Sequence, residues 1–252
     1  MLKARIMPTL LFKDVGLVKG MRFNSWRRVG GVMQAVKVYN MREVDELVFL
    51  DVSATLDGRP PDFETVDDVA DECFMPLTVG GGIRTVEHVR RLLEVGADKV
   101  AINTALVEEP DLIRRVAERF GAQCVVASID VRRHPDGICE VYTRSGSKPT
   151  GLDPVALARE AEALGAGEIL LTSIDRDGTM TGYDLPLTRS ISRAVSIPVI
   201  ASGGAGTYED MRSVLVVAGA AAVAAASIYH YTHQTPLEAK RFLGEHGVCV
   251  RL

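Results

Sequence analysis

Four acidic side chains stand where apolar runs end. Asp51 closes ELVFLD, Asp130 closes CVVASID, and Asp175 and Asp177 follow EILLT in SIDRDGT. A carboxylate at the end of a buried strand costs stability unless it is paired or used, so these are candidates for substrate contact or proton transfer. Asp130 is the candidate general acid or base, because burial would raise its pKa. Asp177, directly before Gly178, is a candidate for substrate contact, with an N-cap or a paired structural acid as the plainer alternative. Gly80-Gly81-Gly82 and Gly203-Gly204 offer a second kind of chemistry. Main-chain N–H groups can approach a phosphate there because no side chain intervenes; a tight turn without a ligand is the alternative. One run later, Asn103-Thr104 and Ala226-Ser227 follow. Each glycine cluster and its partner then make a two-loop cradle around Gly82 and Gly204, and two cradles suit a substrate with two phosphate ends. Lys19 lies in a glycine-containing stretch, 12–31, that reads as a loop. It can clamp a phosphate or be an ordinary solvated lysine. Trp26, the sole tryptophan, is in the same stretch and can cover the site or simply pack there.

Other chemistries find no support. There is no Ser-His-Asp order, HExxH or Walker sequence, and the histidines show no metal spacing: His88 falls in a helical pattern, the others being His134, His230, His233 and His246. Cys73, Cys124, Cys139 and Cys249 form no CxxC pair, so reduced thiols are expected, without a disulfide framework, metal or cofactor. Net charge is −4, which gives no global basic field for nucleic acid or an anionic membrane. No basic-apolar-small leader pattern opens the chain, and a cytoplasmic setting is expected. The uncharged stretch from Ser213 to Tyr229 is Ala-rich and broken by Gly219. It reads as a buried helix end followed by a buried strand rather than a membrane span.

The elements that must position these residues alternate along the whole length. Apolar runs at 6–12, 46–52, 76–80, 99–103, 124–130, 168–173, 197–202 and 221–227 lack period-2 alternation, as in a parallel sheet buried on both faces. Amphipathic stretches such as 85–97, 111–121 and 153–167 separate them, the last opening with the Asp153-Pro154 start signal. Eight such units predict an α/β fold, a (β/α)8 barrel of one domain over 1–252; an open doubly wound sheet carries the same pattern. PLTVGGGI from Pro76 returns as PVIASGGAG from Pro198, which predicts half-barrels of about 1–122 and 123–252. Arg5, Glu46, Lys99 and Glu168 stand at the starts of their runs. A barrel gathers them at its bottom mouth, as a salt-bridge ring or as a polar gate to the bore.

DELVFLD (45–51), PLTVGGGIR (76–84), GADKVAIN (96–103), KPTGLD (148–153), GAGEILLTSIDRDGT (165–179), GYDL (182–185) and IPVIASGGAG (197–206) together resemble the cyclase subunit of imidazole glycerol phosphate synthase, nearly end to end. The resemblance implies a barrel that binds a bisphosphorylated ribulosyl substrate, with a glutaminase subunit docked on its bottom face and ammonia passing through the bore. It implies that Arg5, Glu46, Lys99 and Glu168 form the gate. It implies phosphate cradles at Gly82, Asn103 and Thr104, and at Asp177, Gly178, Gly203, Gly204, Ala226 and Ser227, with Asp130 as a catalytic aspartate. Lys19 stands at the family position. The family uses a second aspartate on the first strand, and here that position is Leu11. PTLLFKDVGLVKG (8–20) and VGGVMQAVKVYNMREVDEL (29–47) look more like a paralogous branch associated with amidination of bacterial surface sugars, in which ammonia passes on to a sugar-modifying amidotransferase. An authentic histidine-pathway cyclase, a catalytically silent conduit that activates the glutaminase, and a related phosphate-binding isomerase are the alternatives.

Overall fold

A computed structural model describes residues 3–14 and 16–251. The strands are β1 (Arg5–Lys13), β2 (Gly16–Met21), β3 (Asn24–Gly30), β4 (Leu47–Asp51), β5 (Leu77–Gly80), β6 (Lys99–Ile102), β7 (Val125–Arg133), β8 (Cys139–Thr143), β9 (Lys148–Pro149), β10 (Glu168–Ser173), β11 (Val199–Ser202) and β12 (Ala222–Ala225). Eight of them pair in parallel in the order β1-β4-β5-β6-β7-β10-β11-β12, and β12 returns to β1. The sheet is therefore a closed (β/α)8 barrel with no free edge, and the open-sheet alternative falls. Flanking helices are α1 (Val32–Met41), α2 (Phe63–Glu72), α3 (Val86–Glu94), α4 (Thr104–Glu108), α5 (Asp111–Phe120), α6 (Pro154–Ala163), α7 (Leu185–Ser192), α8 (Tyr208–Val216), α9 (Ser227–Tyr231) and α10 (Pro236–Glu245). Start signals explain several of them. Asp153 accepts from the Ala156 amide at 2.8 Å with Pro154 at the first turn, and Thr207 with Asp210 closes a capping box on α8.

Two outer clusters and one inner cluster hold this architecture. Strand residues such as Leu10, Phe49, Val79 and Ile102 pack outward against the helices. A smaller cluster of Met7, Val48, Ala101, Val126, Leu170, Ile200, Ala222 and Ala224 fills the barrel interior. Both faces of each strand are thus buried, which is why the sequence shows unbroken apolar runs. The 213–229 stretch splits into the end of α8, β12 and α9. No helix among the described residues is long and apolar enough to cross a membrane.

One expectation needs correction. Residues 12–31 are not a loop: β2 and β3 form an antiparallel hairpin continuing from β1. Its two-residue turn has Arg22 at φ 52° and Phe23 at φ 61°. That is the left-handed geometry usually marked by Asn-Gly, and here no such signal exists. A second hairpin, β8 with the short β9, follows β7 in the same way.

Candidate active site

Inward-facing positions on β1 follow from pleat and register. Met7 belongs to the interior cluster, whereas Ile6 and Leu10 belong to the outer ones. Odd-numbered β1 residues therefore point into the barrel. By the same alternation β7 turns Ser128 and Asp130 inward, and both line a cleft at the C-terminal strand ends, about 1160 Å³ including its open mouth. Twelve of the residues expected at the substrate end line this one cleft: Lys19, Asp51, Gly82, Asn103, Thr104, Asp130, Asp177, Gly178, Gly203, Gly204, Ala226 and Ser227.

Asp130 sits at the floor. The side-chain amide of Asn103, which follows the neighbouring β6, donates at 3.2 Å to the Asp130 carboxylate and at 3.0 Å to the Ser128 carbonyl. Burial, and next the negative charge of Asp177, push the Asp130 carboxyl up to about 7; the Thr172 hydroxyl acts the other way. A carboxyl titrating there can both give and take a proton near neutral pH. Lys19 lies on β2, not on a loop, and its Nζ donates to both Asp177 oxygens at 2.7 and 2.9 Å. The hairpin is held down on this acid, since the Arg22 amide donates to the Asp177 carbonyl at 2.8 Å. Gly178 must be glycine: its φ is +75°, and a Cβ would lie 2.3 Å from the Gly20 carbonyl of the hairpin. Phe23 and Trp26 then form part of the cleft wall.

Asp51 has a fuller set of partners. One oxygen accepts from the Ser53 amide, the Ser53 hydroxyl and the Ala54 amide, each at 2.9 Å; the other accepts from Arg59 at 3.3 Å. This carboxylate shapes the loop over the first glycine cluster. Gly82 donates its amide to Thr55 at 3.3 Å. In the second cradle Gly204 has φ +114°, and a Cβ there would sit 2.2 Å from the Gly182 carbonyl. The Ser227 hydroxyl is buried with no protein partner among the described residues, so a hydrogen-bonding ligand in this cradle would satisfy it. Asp175 is not in the cleft; it accepts from the Arg133 amide at 2.7 Å. Thr9, Thr172 and Ser202 are cleft residues that the strand-end search missed. Stepping by two from Asp130 along its strand reaches Ser128; the same step along β1 would have exposed Thr9.

At the opposite end, Arg5, Glu46, Lys99 and Glu168 form a closed ring of alternating charge. Arg5 reaches Glu46 and Glu168 at 2.9 Å, and Lys99 reaches them at 2.8 and 3.3 Å. Thr78 donates to Glu46 at 2.6 Å. The interior cluster lies between this ring and the cleft. Among the described residues no group of three or more His, Cys, Asp or Glu side chains could hold a metal ion.

A family model described as Histidine biosynthesis protein matches residues 5–235. The chain belongs to that family. The match takes in all eight barrel strands, both cradles and the charged ring. This histidine biosynthesis family barrel is accordingly an enzyme fold of the histidine-biosynthesis type. Leu11, buried, stands beside the half-buried Leu50 in the cleft wall.

Proposed function

We propose that this family member is the synthase-type subunit of a glutamine amidotransferase complex. It takes ammonia from a glutaminase docked on the N-terminal face and releases it at the cleft lined by the two glycine cradles for addition to a phosphorylated acceptor. The observation that carries this is the coaxial pairing of a closed charge ring with a cleft of two glycine cradles, with the bore between them. Two strongly exposed apolar side chains on the ring side, Met41 and Phe74, support a partner there. Their chain segments meet, because the Phe74 amide donates to the side chain of Asn40, the neighbour of Met41. Asp130 supplies one proton-transfer group. Leu11 and Leu50 favour the sugar-amidination branch over the histidine-pathway cyclase, since leucine transfers no proton.

The test has two arms. Supplying the bisphosphorylated ribulosyl substrate with ammonium salt at alkaline pH is expected to give little turnover; turnover at the level of a two-aspartate enzyme would return the chain to the cyclase reaction. Co-purification with the glutaminase, and glutamine hydrolysis with and without this chain, test the partnership. Stimulated hydrolysis with no chemistry on any phosphorylated acceptor would favour a silent conduit, the second reading that Leu11 supports. Failure to bind or stimulate would end the proposal.

A further inference from the structure

Of the buried side-chain polar atoms without a protein partner among the described residues, two belong to cleft-lining residues, Ser227 and Thr9. Ser227 belongs to the second cradle. Thr9 does not belong to either. It lies on β1 between Met7 of the interior cluster and Leu11 of the cleft wall, above Arg5 of the ring, and is 7% exposed. Its register neighbour on β4 is Val48, and the adjacent β12 turns only Ala222 and Ala224 into the interior. Among the described residues no protein group hydrogen-bonds this hydroxyl. Thr78, the other interior threonine, is already committed to Glu46. A buried hydroxyl with both donor and acceptor capacity is costly to leave unmade, and replacement by an isosteric apolar side chain would remove the cost.

We infer that the Thr9 hydroxyl is a binding point in the bore for one small neutral hydrogen-bonding molecule, water or ammonia. The β4 and β12 side chains beside Thr9, Val48 and the alanines, are apolar, so a desolvated ammonium ion is costly against them, whereas neutral ammonia or water can accept a hydrogen bond from the hydroxyl and donate one in return. Ser128 holds the matching place on β7, two residues before Asp130 as Thr9 is two before Leu11. A molecule leaving Thr9 therefore meets a second hydroxyl and then the Asp130 carboxyl. The use of Thr9 as a stopping point for ammonia rests on the proposed function; the binding point itself does not.

Crystals of the full chain grown without ammonium test the site. The expected result is solvent density within about 3 Å of Thr9 Oγ1, retained in Thr9→Ser and lost in Thr9→Val. If Thr9→Val does not fold, the wild-type and Thr9→Ser maps decide. A map in which the hydroxyl instead donates to a backbone carbonyl overturns the inference. The ammonia arm uses methyl-labelled threonine and NMR. Ammonium chloride at alkaline pH is expected to shift the Thr9 methyl signal saturably, where sodium chloride at the same pH does not. Density without that shift leaves water alone and overturns the ammonia half. Loss of glutaminase binding would sink the proposed function while leaving both of these results intact.

Discussion

Leu11 and Asp130 occupy the same structural place in the two halves of the barrel. Leu11 pairs with Val18 of the following hairpin and with Leu50 of the next barrel strand; Asp130 pairs with Tyr142 and Thr172 in the same two ways. The correspondence extends outward, since Leu50 stands beside Gly80 as Thr172 stands beside Ser202. One side of the cleft floor is thus a carboxyl with a hydroxyl next to it, and the other is two leucines.

Leu11→Asp puts a second carboxyl into an apolar wall, at a cost of about 1–3 kcal/mol. If that acid alone separates this chain from a cyclase, turnover of the bisphosphorylated ribulosyl substrate rises at least tenfold over wild type, or about 1.4 kcal/mol of barrier. Unchanged turnover in a folded variant would show that Leu50 and the hairpin wall have diverged too.

Asp130 links stability to pH. Its folded value of about 7 exceeds the ordinary aspartate value of about 3.9. Between the two, the native state holds a proton that the unfolded chain has lost. The stabilisation is therefore full at acid pH and declines as pH rises through 7. Asp130→Asn is expected to be more stable than wild type above that range and nearly equal at its acid end, measured by urea denaturation. Proton-transfer activity should disappear in the same variant, and in wild type should show an inflection near 7.

Lys19→Met leaves Asp177 buried without its cation and next to Asp130. Breaking such a pair costs about 3–5 kcal/mol. Lys19→Met with Asp177→Leu should recover most of that loss, because no orphan charge remains. A double variant no more stable than Lys19→Met would show that the pair does not hold the hairpin.

Gly204→Ala brings a Cβ to 2.2 Å from a backbone carbonyl that cannot rotate away, at φ +114°. Gly137 also has a positive φ, +89°, but open space around it. Gly137→Ala should cost only the left-handed penalty of about 1–2 kcal/mol. Gly204→Ala should cost more and also weaken binding of inorganic phosphate at least tenfold. Trp26, on the cleft wall, provides the fluorescence signal for that titration. Equal phosphate affinity in the two variants would remove the second cradle from the proposal.

Glu46 and Glu168 are unequal members of the ring. Glu46 is 2% exposed and also accepts from Thr78, so Glu46→Ala strands two cations and is expected to cost about 3 kcal/mol. Glu168, whose side chain is 14% exposed, should cost about 1 kcal/mol by the same measure. Chemical denaturation checks the order; the reverse order would place the ring's main anchor at Glu168.

The eight barrel strands were legible because each is a short apolar run buried on both faces, between periods of amphipathic spacing. The cleft was legible because glycine, acid and Asn/Thr/Ser pairs stood at the ends of those runs. What could not be read were the hairpins. Arg22-Phe23 takes a turn that needs positive φ without any glycine or asparagine there, so Lys19 looked like a loop residue when it is a buried strand residue. Thr9 was equally hidden, since a lone threonine inside PTLLF gives no sign of which face it occupies. Asp175 misled for the opposite reason: it shares a segment with Asp177 but turns outward to the Arg133 amide.

The floor of the barrel carries a lopsided inheritance. Glu46 and Glu168 are counterparts across the repeat, but Arg5 and Lys99 both come from the first half; their counterparts, by the strand register, are Cys124 and Ala222. Two copies of the second half joined together would set carboxylates face to face with nothing to neutralise them, and two copies of the first would crowd four cations around two acids. The charge balance of the floor therefore needs both halves, the first supplying the two cations and each half one acid.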